Sequence, residues 1–212
     1  MPDASDIMSM MLDKKGLLLA LIMGITVYFF GGWRYLAIML VFLLFAVSAT
    51  KYENKKKKEM GIYEHERSWE NVFSNGFLPT LLAAGSGVIG PLPYIASVAA
   101  VTADKFASEL GVLSDNPISL ETFKPVKPGK SGAVSLLGFL VSLAGGTVIG
   151  TSAIFIFHIN PTSALLIGLA GLAGSVVDSI FGILEERGIG TKGTTNFFCS
   201  LTGALIGYYL LK

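Results

Sequence analysis

Three acidic residues, Asp104, Glu109 and Asp178, have the side chains best suited to chemistry in an otherwise apolar chain. Asp178 lies inside an apolar segment, where a single acid is a functional candidate by default. Carboxylate oxygens suit Mg²⁺, which proteins typically hold through one or two carboxylates together with substrate phosphates. Zinc is disfavoured for want of His and Cys ligands nearby. We therefore predict Asp104, Glu109 and Asp178 as ligands of Mg²⁺.

The spacing of the first two acids limits how they can act together. Asp104 and Glu109 are five residues apart, so they point about 140° away from each other on an ideal helix. Either only one of the two acids contacts the metal directly and the other acts through it, or the helix ends between them. For Asp104 and Asp178 the alternative role is a buried polar contact between helices.

The polar segment that holds the first two acids runs from residue 102 to residue 135 and also contains basic residues. Lys124, Lys127 and Lys130 offer positive charge to phosphate groups, and we predict catalytic roles for Lys124 and Lys130. The sequence ProGlyLysSerGly at 128–132 predicts free backbone amides at the start of a helix, which is a site for anions. The spacing of a Walker P-loop is missing. The alternative for the three lysines is a solvated loop.

The remaining candidates would orient substrate or nucleotide phosphates. They are Asn71, Asn75, Ser108, Lys127, Gly129, Ser131, Gly132, Ser135 and Asn196. Metal, cationic side chains and oriented amides together favour phosphoryl transfer at a membrane surface, in which catalysis is mainly positioning and charge stabilisation.

The candidate set contains no general base. His65 falls in a charged loop and His158 at the other end of a helix, so neither can join the acids. A hydroxyl acceptor usually requires a base. A phosphate monoester has a second pKa of about 6 and is therefore already an anionic nucleophile near neutral pH. The missing base thus favours a phosphate as the acceptor.

The composition determines what kind of protein must position these residues. Of 212 residues, 52% are hydrophobic and only 15% are charged, which predicts a polytopic membrane protein with a single domain, 1–212. A net charge of +1 argues against a nucleic-acid partner. Cys199 is the single cysteine, so an intrachain disulfide is excluded, and no cleavable signal peptide is evident.

The apolar runs predict an all-α bundle of about seven transmembrane helices. The runs cover 16–32, 35–50, two helices within 68–113 that are separated by a break at 85–93, 132–157, 162–184 and 196–212. The positive-inside rule places the basic segment 51–67 in the cytoplasm. Its lysine run is predicted to be a solvated topology signal, with phosphate binding as the alternative role. The amino terminus and all the candidate residues then lie on the cytoplasmic side, and the carboxyl terminus lies outside.

Small residues recur every fourth position in two of the predicted helices, which indicates close packing between helices. One such row is Gly138, Ser142, Gly146 and Gly150, and the other is Ala170, Gly174, Asp178 and Gly182. The second row places the carboxylate of Asp178 on a closely packed helix face.

Four motifs in order, at 71–76, 102–111, 128–135 and 174–182, resemble the integral membrane family whose characterised plant member is a phytyl-phosphate kinase. The resemblance covers the chain from about Gly16 onward. It implies a polytopic helical fold and transfer of phosphate from a nucleoside triphosphate, CTP being the usual donor, onto a prenyl monophosphate to form the diphosphate. Asp104 and the Ser131–Gly132 segment are also similar to the pattern of CTP-dependent enzymes that resemble dolichol kinase.

We therefore expect a CTP-dependent kinase that requires Mg²⁺ and phosphorylates phytyl or geranylgeranyl phosphate at the cytoplasmic membrane face. Its partners are the lipid substrate, the nucleotide and the bilayer, and a homo-oligomer is compatible with the sequence. Two alternatives within the same class are a cytidylyltransferase and a kinase of free prenol. An alternative of another class is a transporter, flippase or scaffold for lipid phosphates without catalysis, although transporters usually contain repeats and midplane sites.

Overall fold

A computed structural model of the chain describes residues 13–61 and 69–209. Part of the basic segment 51–67, including His65 and Arg67, lies outside the described residues, as do residues 210–212.

The described residues form helices joined by short connections. The helices are α1 (Lys14–Gly31), α2 (Trp33–Lys51), α3 (Asn54–Glu59), α4 (Trp69–Ala84), α5 (Ser86–Ile89), α6 (Leu92–Leu110), α7 (Leu136–Phe157), α8 (Pro161–Glu186) and α9 (Lys192–Tyr209). A 3₁₀ turn, Gly111–Leu113, follows α6, and two short antiparallel strands, β1 (Ile118–Ser119) and β2 (Ala133–Val134), pair in the segment between α6 and α7. The predicted all-α architecture is confirmed.

Four helices are long and apolar enough to cross a membrane: α1, α2, α7 and α8. The other three long helices of the described chain, α4, α6 and α9, fall where the sequence predicted helices but do not meet the same criterion of length and hydropathy. The structure therefore supports a helical membrane protein with four candidate spans.

Local capping explains several helix ends. Asp13 accepts a hydrogen bond from the amide of Gly16 at the start of α1, and Gly32, with φ of 84°, makes the break before α2. Ser135 and Asn160 cap α7 and α8 in the same way, by accepting from Gly138 and Ser163. A side-chain oxygen satisfies an otherwise free amide in each case.

Two predicted helix starts are wrong. The fifth long helix begins at Leu136 rather than at Gly132, because Gly132 has a φ of 71° and Ser135 is the capping residue. The seventh begins at Lys192 rather than at Asn196. The break at 85–93 contains one helical turn, α5, between the flanking glycines.

Helix α6 is the centre of the bundle. Every residue from Pro93 to Asp104 is buried, and α6 packs against α7, α8 and α9, with α2 and α4 also in contact. Helix α1 packs on α4 and α2 at the outside. At the end of the bundle opposite the acids, the hydroxyl of Tyr94 donates to the backbone oxygen of Tyr35 at 2.7 Å.

Glycine allows the central helices to touch backbone to backbone. A Cβ added at Gly146 would lie 2.6 Å from the carbonyl oxygen of Gly168, and one at Gly171 would lie 2.9 Å from that of Ala99. Both predicted rows of small residues lie at helix contacts, which confirms that part of the prediction. Helix α9 uses the same device, since Gly207 packs on the carbonyl of Leu92 in α6.

Candidate functional site

A cavity of about 530 Å³ opens at one end of the bundle. Its walls come from the start of α4, the end of α6, the segment 128–135, the first turns of α7, the second half of α8 and the first residue of α9. Successive long helices run in opposite directions, so the ends of α6 and α8 meet the starts of α4, α7 and α9. Residues far apart in the chain thereby share one polar space.

Most of the predicted site residues line this cavity. They are Asn71, Asp104, Ser108, Glu109, Gly129, Lys130, Ser131, Gly132, Ser135 and Asp178. The cavity lining does not include Asn75, Lys124, Lys127 or Asn196.

The centre of the cavity is a pair of buried carboxyl groups on facing helices. Asp104 on α6 and Asp178 on α8 are 6% and 5% exposed, and their carboxyl groups are direct neighbours. Lys192, at the start of α9, donates to Oδ2 of Asp178 at 2.7 Å. Two acids with one ammonium group leave an excess of negative charge in a buried place, and such charge must be compensated by a cation or a proton.

The oxygen atoms of this pair are of the type that binds a hard cation. Oδ1 of Asp178 is buried and has no hydrogen-bond partner among the residues that the structure describes, and the neighbouring Asp104 has oxygen atoms of the same type. Mg²⁺ is commonly bound by one or two carboxylates plus phosphate oxygens and water. No group of three His, Cys, Asp or Glu residues that could hold a metal occurs in the described part of the chain. Among the described residues, the structure brings Asp104 and Asp178 together and leaves Glu109 apart from them. The binding of Mg²⁺ by these acids stays a prediction.

Glu109 is the acid that does not join the pair. Its carboxylate binds Lys105 at 2.8 Å and Lys57 at 3.2 Å, and it accepts from the hydroxyl of Thr50 at 2.9 Å. Glu109 lines the cavity, but its charge is already balanced by these two lysines. Its direction on α6 differs from that of Asp104, as the spacing of five residues requires.

Lys57 contradicts the prediction of a solvated lysine run. Its side chain is 1% exposed, and Nζ donates to the carbonyl oxygens of Ala49 and Thr50 at 3.0 and 2.8 Å as well as to Glu109. The ammonium group thus satisfies free carbonyls at the end of α2, where a cation is also favoured by the helix dipole. Lys55, Lys56 and Lys58 in the same helix are exposed, as predicted.

The segment 128–132 is held against the end of α8. The amide of Ser131 donates to Glu186 at 3.0 Å, and the hydroxyl of Ser131 donates to Glu185 at 2.8 Å. A Cβ at Gly182 would lie 2.6 Å from the backbone nitrogen of Gly132, so the two glycines touch directly. The prediction that this segment opens a helix with free amides is wrong, because α7 begins four residues later and the Ser131 amide already has an acceptor.

The three loop lysines occupy different environments. Lys130 lines the cavity and lies 4.0 Å from Glu186, whereas Lys124 and Lys127 are exposed outside it. For Lys124 and Lys127 the placement matches the alternative of a solvated loop.

Of the three predicted asparagines, one lines the cavity and two do not. Asn71 lines the cavity, while the amide of Asn75 donates to the backbone oxygen of Asn71 at 2.8 Å. Asn196 is buried and donates to Ser74 at 3.1 Å, which joins α9 to α4. Asn75 and Asn196 therefore lie behind the cavity wall rather than in it.

Sequence reasoning missed several residues of the cavity: Lys105, Ser142 as a polar group, Ser175, Glu185 and Lys192. Glu185 could have been found, because it lies seven residues after Asp178 and therefore on the same helix face. Lys192 gave no such signal, since its contact with Asp178 depends on how α9 packs against α8.

Residues 4–201 match the sequence profile of the family described as integral membrane protein DUF92. The chain is similar to an uncharacterized membrane protein of Methanocaldococcus jannaschii, 36% identical over 92% of this chain and 84% of that protein. It is also similar to Protein PGR of Arabidopsis thaliana, 32% identical over 86% of this chain and 72% of that protein. No solved structure matches the chain with significance.

Proposed function

On the premise that the chain belongs to the DUF92 family of integral membrane proteins, we propose that it is a kinase of prenyl monophosphates that uses CTP or a related nucleoside triphosphate. The products are a prenyl diphosphate and a nucleoside diphosphate. All seven long helices cross the membrane in this proposal, and the cavity faces the cytoplasm together with the amino terminus.

One observation carries the proposal: the buried pair Asp104 and Asp178 lies in the same cavity as Lys192, Lys130 and Ser131. Phosphoryl transfer needs a site where several anionic oxygens can be neutralised and aligned, and little covalent work by the protein. A cavity with a carboxylate pair in its centre and ammonium and hydroxyl donors around it meets that need. The resemblance of the four motifs to a phytyl-phosphate kinase supports the same chemistry.

Asp104 and Asp178 would hold Mg²⁺, which supplies charge neutralisation between the two phosphate groups when it is bound. Lys192 balances the carboxylate pair from α9, and Lys130 offers an ammonium donor to the nucleotide. An oxygen of the prenyl phosphate forms the new bond to the terminal phosphorus of the nucleotide. The bond from that phosphorus to the bridging oxygen breaks, and the nucleoside diphosphate leaves with the electron pair. The acceptor is already an anion, so the absence of histidine among the described cavity residues is consistent with this step.

The charges at the cavity end of the bundle support the orientation. Lys51 and the α3 lysines follow α2 at this end, and Lys57 and Glu109 join α3 to the cavity rim. Positive charge in short loops marks the cytoplasmic side of membrane proteins.

The experiment incubates purified protein with Mg²⁺, CTP labelled on its terminal phosphate, and phytyl or geranylgeranyl monophosphate. We expect label in a lipid diphosphate, loss of that product in Asp104→Asn, and little change in the control Asp115→Asn, whose side chain is exposed in the next segment of the chain. Label that stays in CTP with every prenyl chain length would overturn the kinase. Movement of prenyl phosphate across vesicles without CTP consumption would instead identify a transporter.

A further inference from the structure

One wall of the cavity is apolar, in contrast to the rest. Phe139 of α7 and Leu172 and Val176 of α8 form this wall, where the two helices lie side by side. The charged and hydroxyl groups come from the end of α6, the segment 128–132, Asp178 and Lys192. The cavity therefore presents a polar face and an apolar seam to whatever it binds.

The apolar seam continues onto the outer surface of the bundle. Leu169, Leu172, Val176 and Ile180 are three or four residues apart and therefore form one row along α8. Leu169 and Ile180 are 45% and 49% exposed, and Phe139 across the seam is 40% exposed. Residues that line the cavity thus lie in the same row as residues that face the surroundings of the bundle, which for the apolar helices α7 and α8 is lipid.

The seam is closed further along the two helices. Gly146, two turns after Phe139, packs against Gly168, one turn before Leu172, with no room for a Cβ between them. The hydrocarbon chain of a bound ligand cannot extend from the cavity between α7 and α8 past this contact. Such a chain must instead leave the bundle laterally, over Phe139, Leu172 and Val176.

The hydroxyl group of Ser142 lies at the inner end of the seam. Ser142 lines the cavity one turn after Phe139, is 1% exposed, and its hydroxyl has no hydrogen-bond partner in the described part of the chain. A buried hydroxyl without a partner costs free energy, which a ligand oxygen would recover. A phosphate head group placed here would accept from Ser142 while its chain follows the seam.

We propose that the cavity has a lateral opening between α7 and α8, bounded by Phe139, Leu172 and Val176, through which the isoprenoid chain of the lipid substrate extends into the bilayer. The head group lies at Ser142 and the nucleotide enters from the polar end of the cavity, at Lys130 and Ser131. The identity of the lipid rests on the proposed function. The lateral opening explains how an amphiphile reaches a charged site without leaving the membrane.

The test uses phytyl monophosphate with a diazirine near the middle of its chain, bound to the full-length protein in bilayer nanodiscs without nucleotide. After irradiation, mass spectrometry maps the adducts. We expect adducts at Phe139, Leu172 or Val176 that unlabelled phytyl monophosphate suppresses. Val176→Trp fills the seam and should reduce these adducts about tenfold, which corresponds to about 1.4 kcal/mol. Ile180→Trp, in the same row but outside the cavity, should leave them unchanged.

The outcomes separate this inference from the kinase. Seam adducts without any phosphoryl transfer would retain the lipid-phosphate site and reject the kinase. Transfer onto phytyl phosphate with adducts spread over outer residues such as Leu18 and Leu40 would retain the kinase and reject the lateral opening. Equal loss of adducts in Val176→Trp and Ile180→Trp would also reject the lateral opening, because a substitution outside the cavity would then have the same effect as one inside it. Ser142→Ala should weaken binding of phytyl monophosphate but not of phytol, and equal effects on both would reject the head-group position.

Discussion

The contact between Gly182 on α8 and Gly132 in the segment 128–132 leads to a quantitative prediction. A methyl group added by Gly182→Ala would lie 2.6 Å from the nitrogen of Gly132 and 2.8 Å from Oγ of Ser131. Ordinary contacts begin at 3.4 Å, so the segment must move outward by about 0.8 Å. The atom displaced is backbone, which cannot rotate away as a flexible side chain can.

The displacement weakens the hold of α8 on this segment. It lengthens the two hydrogen bonds from Ser131 to Glu185 and Glu186, which are 2.8 and 3.0 Å. Inserting one methyl group into a close contact costs on the order of 1–3 kcal/mol, which corresponds to about a 5- to 150-fold larger population in which the segment is detached.

Limited trypsin digestion measures that population in detergent. Lys124 and Lys127 precede proline, where trypsin cuts slowly, so the bond after Lys130 is the cleavage site to follow in this segment. We expect the fragment that begins at Ser131 to form faster in Gly182→Ala by about the factor above when detachment precedes cleavage. Cleavage in the exposed α3 lysines serves as the internal reference.

Gly24→Ala is the matched control. Gly24 is also a helical glycine, but its added Cβ would lie 3.8 Å from the nearest atom, a side-chain carbon of Leu36. We expect wild-type cleavage after Lys130 in this variant. If Gly182→Ala were cleaved at the same rate as Gly24→Ala, the reasoning that Gly182 holds the segment would be refuted.

Two further predictions concern the lysines. Lys57→Met removes the cation that binds Glu109 and two carbonyls, so it should lower the free energy of unfolding in detergent by about 1.5–3 kcal/mol. The exposed control Lys56→Met should stay within about 0.5 kcal/mol of wild type, and equal effects would contradict the buried role of Lys57. Lys130→Ala should raise the KM for CTP about two- to fivefold, as expected for a partly exposed charge. Lys127→Ala, outside the cavity, should not change it, and a similar rise in both variants would argue against the placement of Lys130.

The sequence was a good guide wherever one helix decided the outcome. Long apolar runs located all the long helices, because a backbone in an apolar environment must satisfy its hydrogen bonds internally. Small residues four apart correctly indicated the faces of α7 and α8 that pack closely, since that spacing places them in one row. The same rule placed Asp178 on a buried face.

The errors arose where the outcome depended on contacts between distant segments. From the sequence alone, Lys57 is predicted to be one of several solvated lysines. In the structure, the ends of α2 and α6 provide three acceptors that bury it. From the sequence alone, segment 128–132 is predicted to start a helix. In the structure, it packs instead against Gly182 and the glutamates of α8. Local sequence does not contain these partners.

The candidate site shows the same division. The sequence determined that Asp104 and Asp178 are the acids to consider, because a carboxylate in an apolar helix requires a partner. Only the tertiary structure decided that these two form a pair, that Lys192 balances them and that Glu109 is neutralised elsewhere. The physical reason is that a buried charge is stabilised by groups within a few ångströms in space. The packing of α6, α8 and α9, rather than spacing along the chain, determines which groups those are.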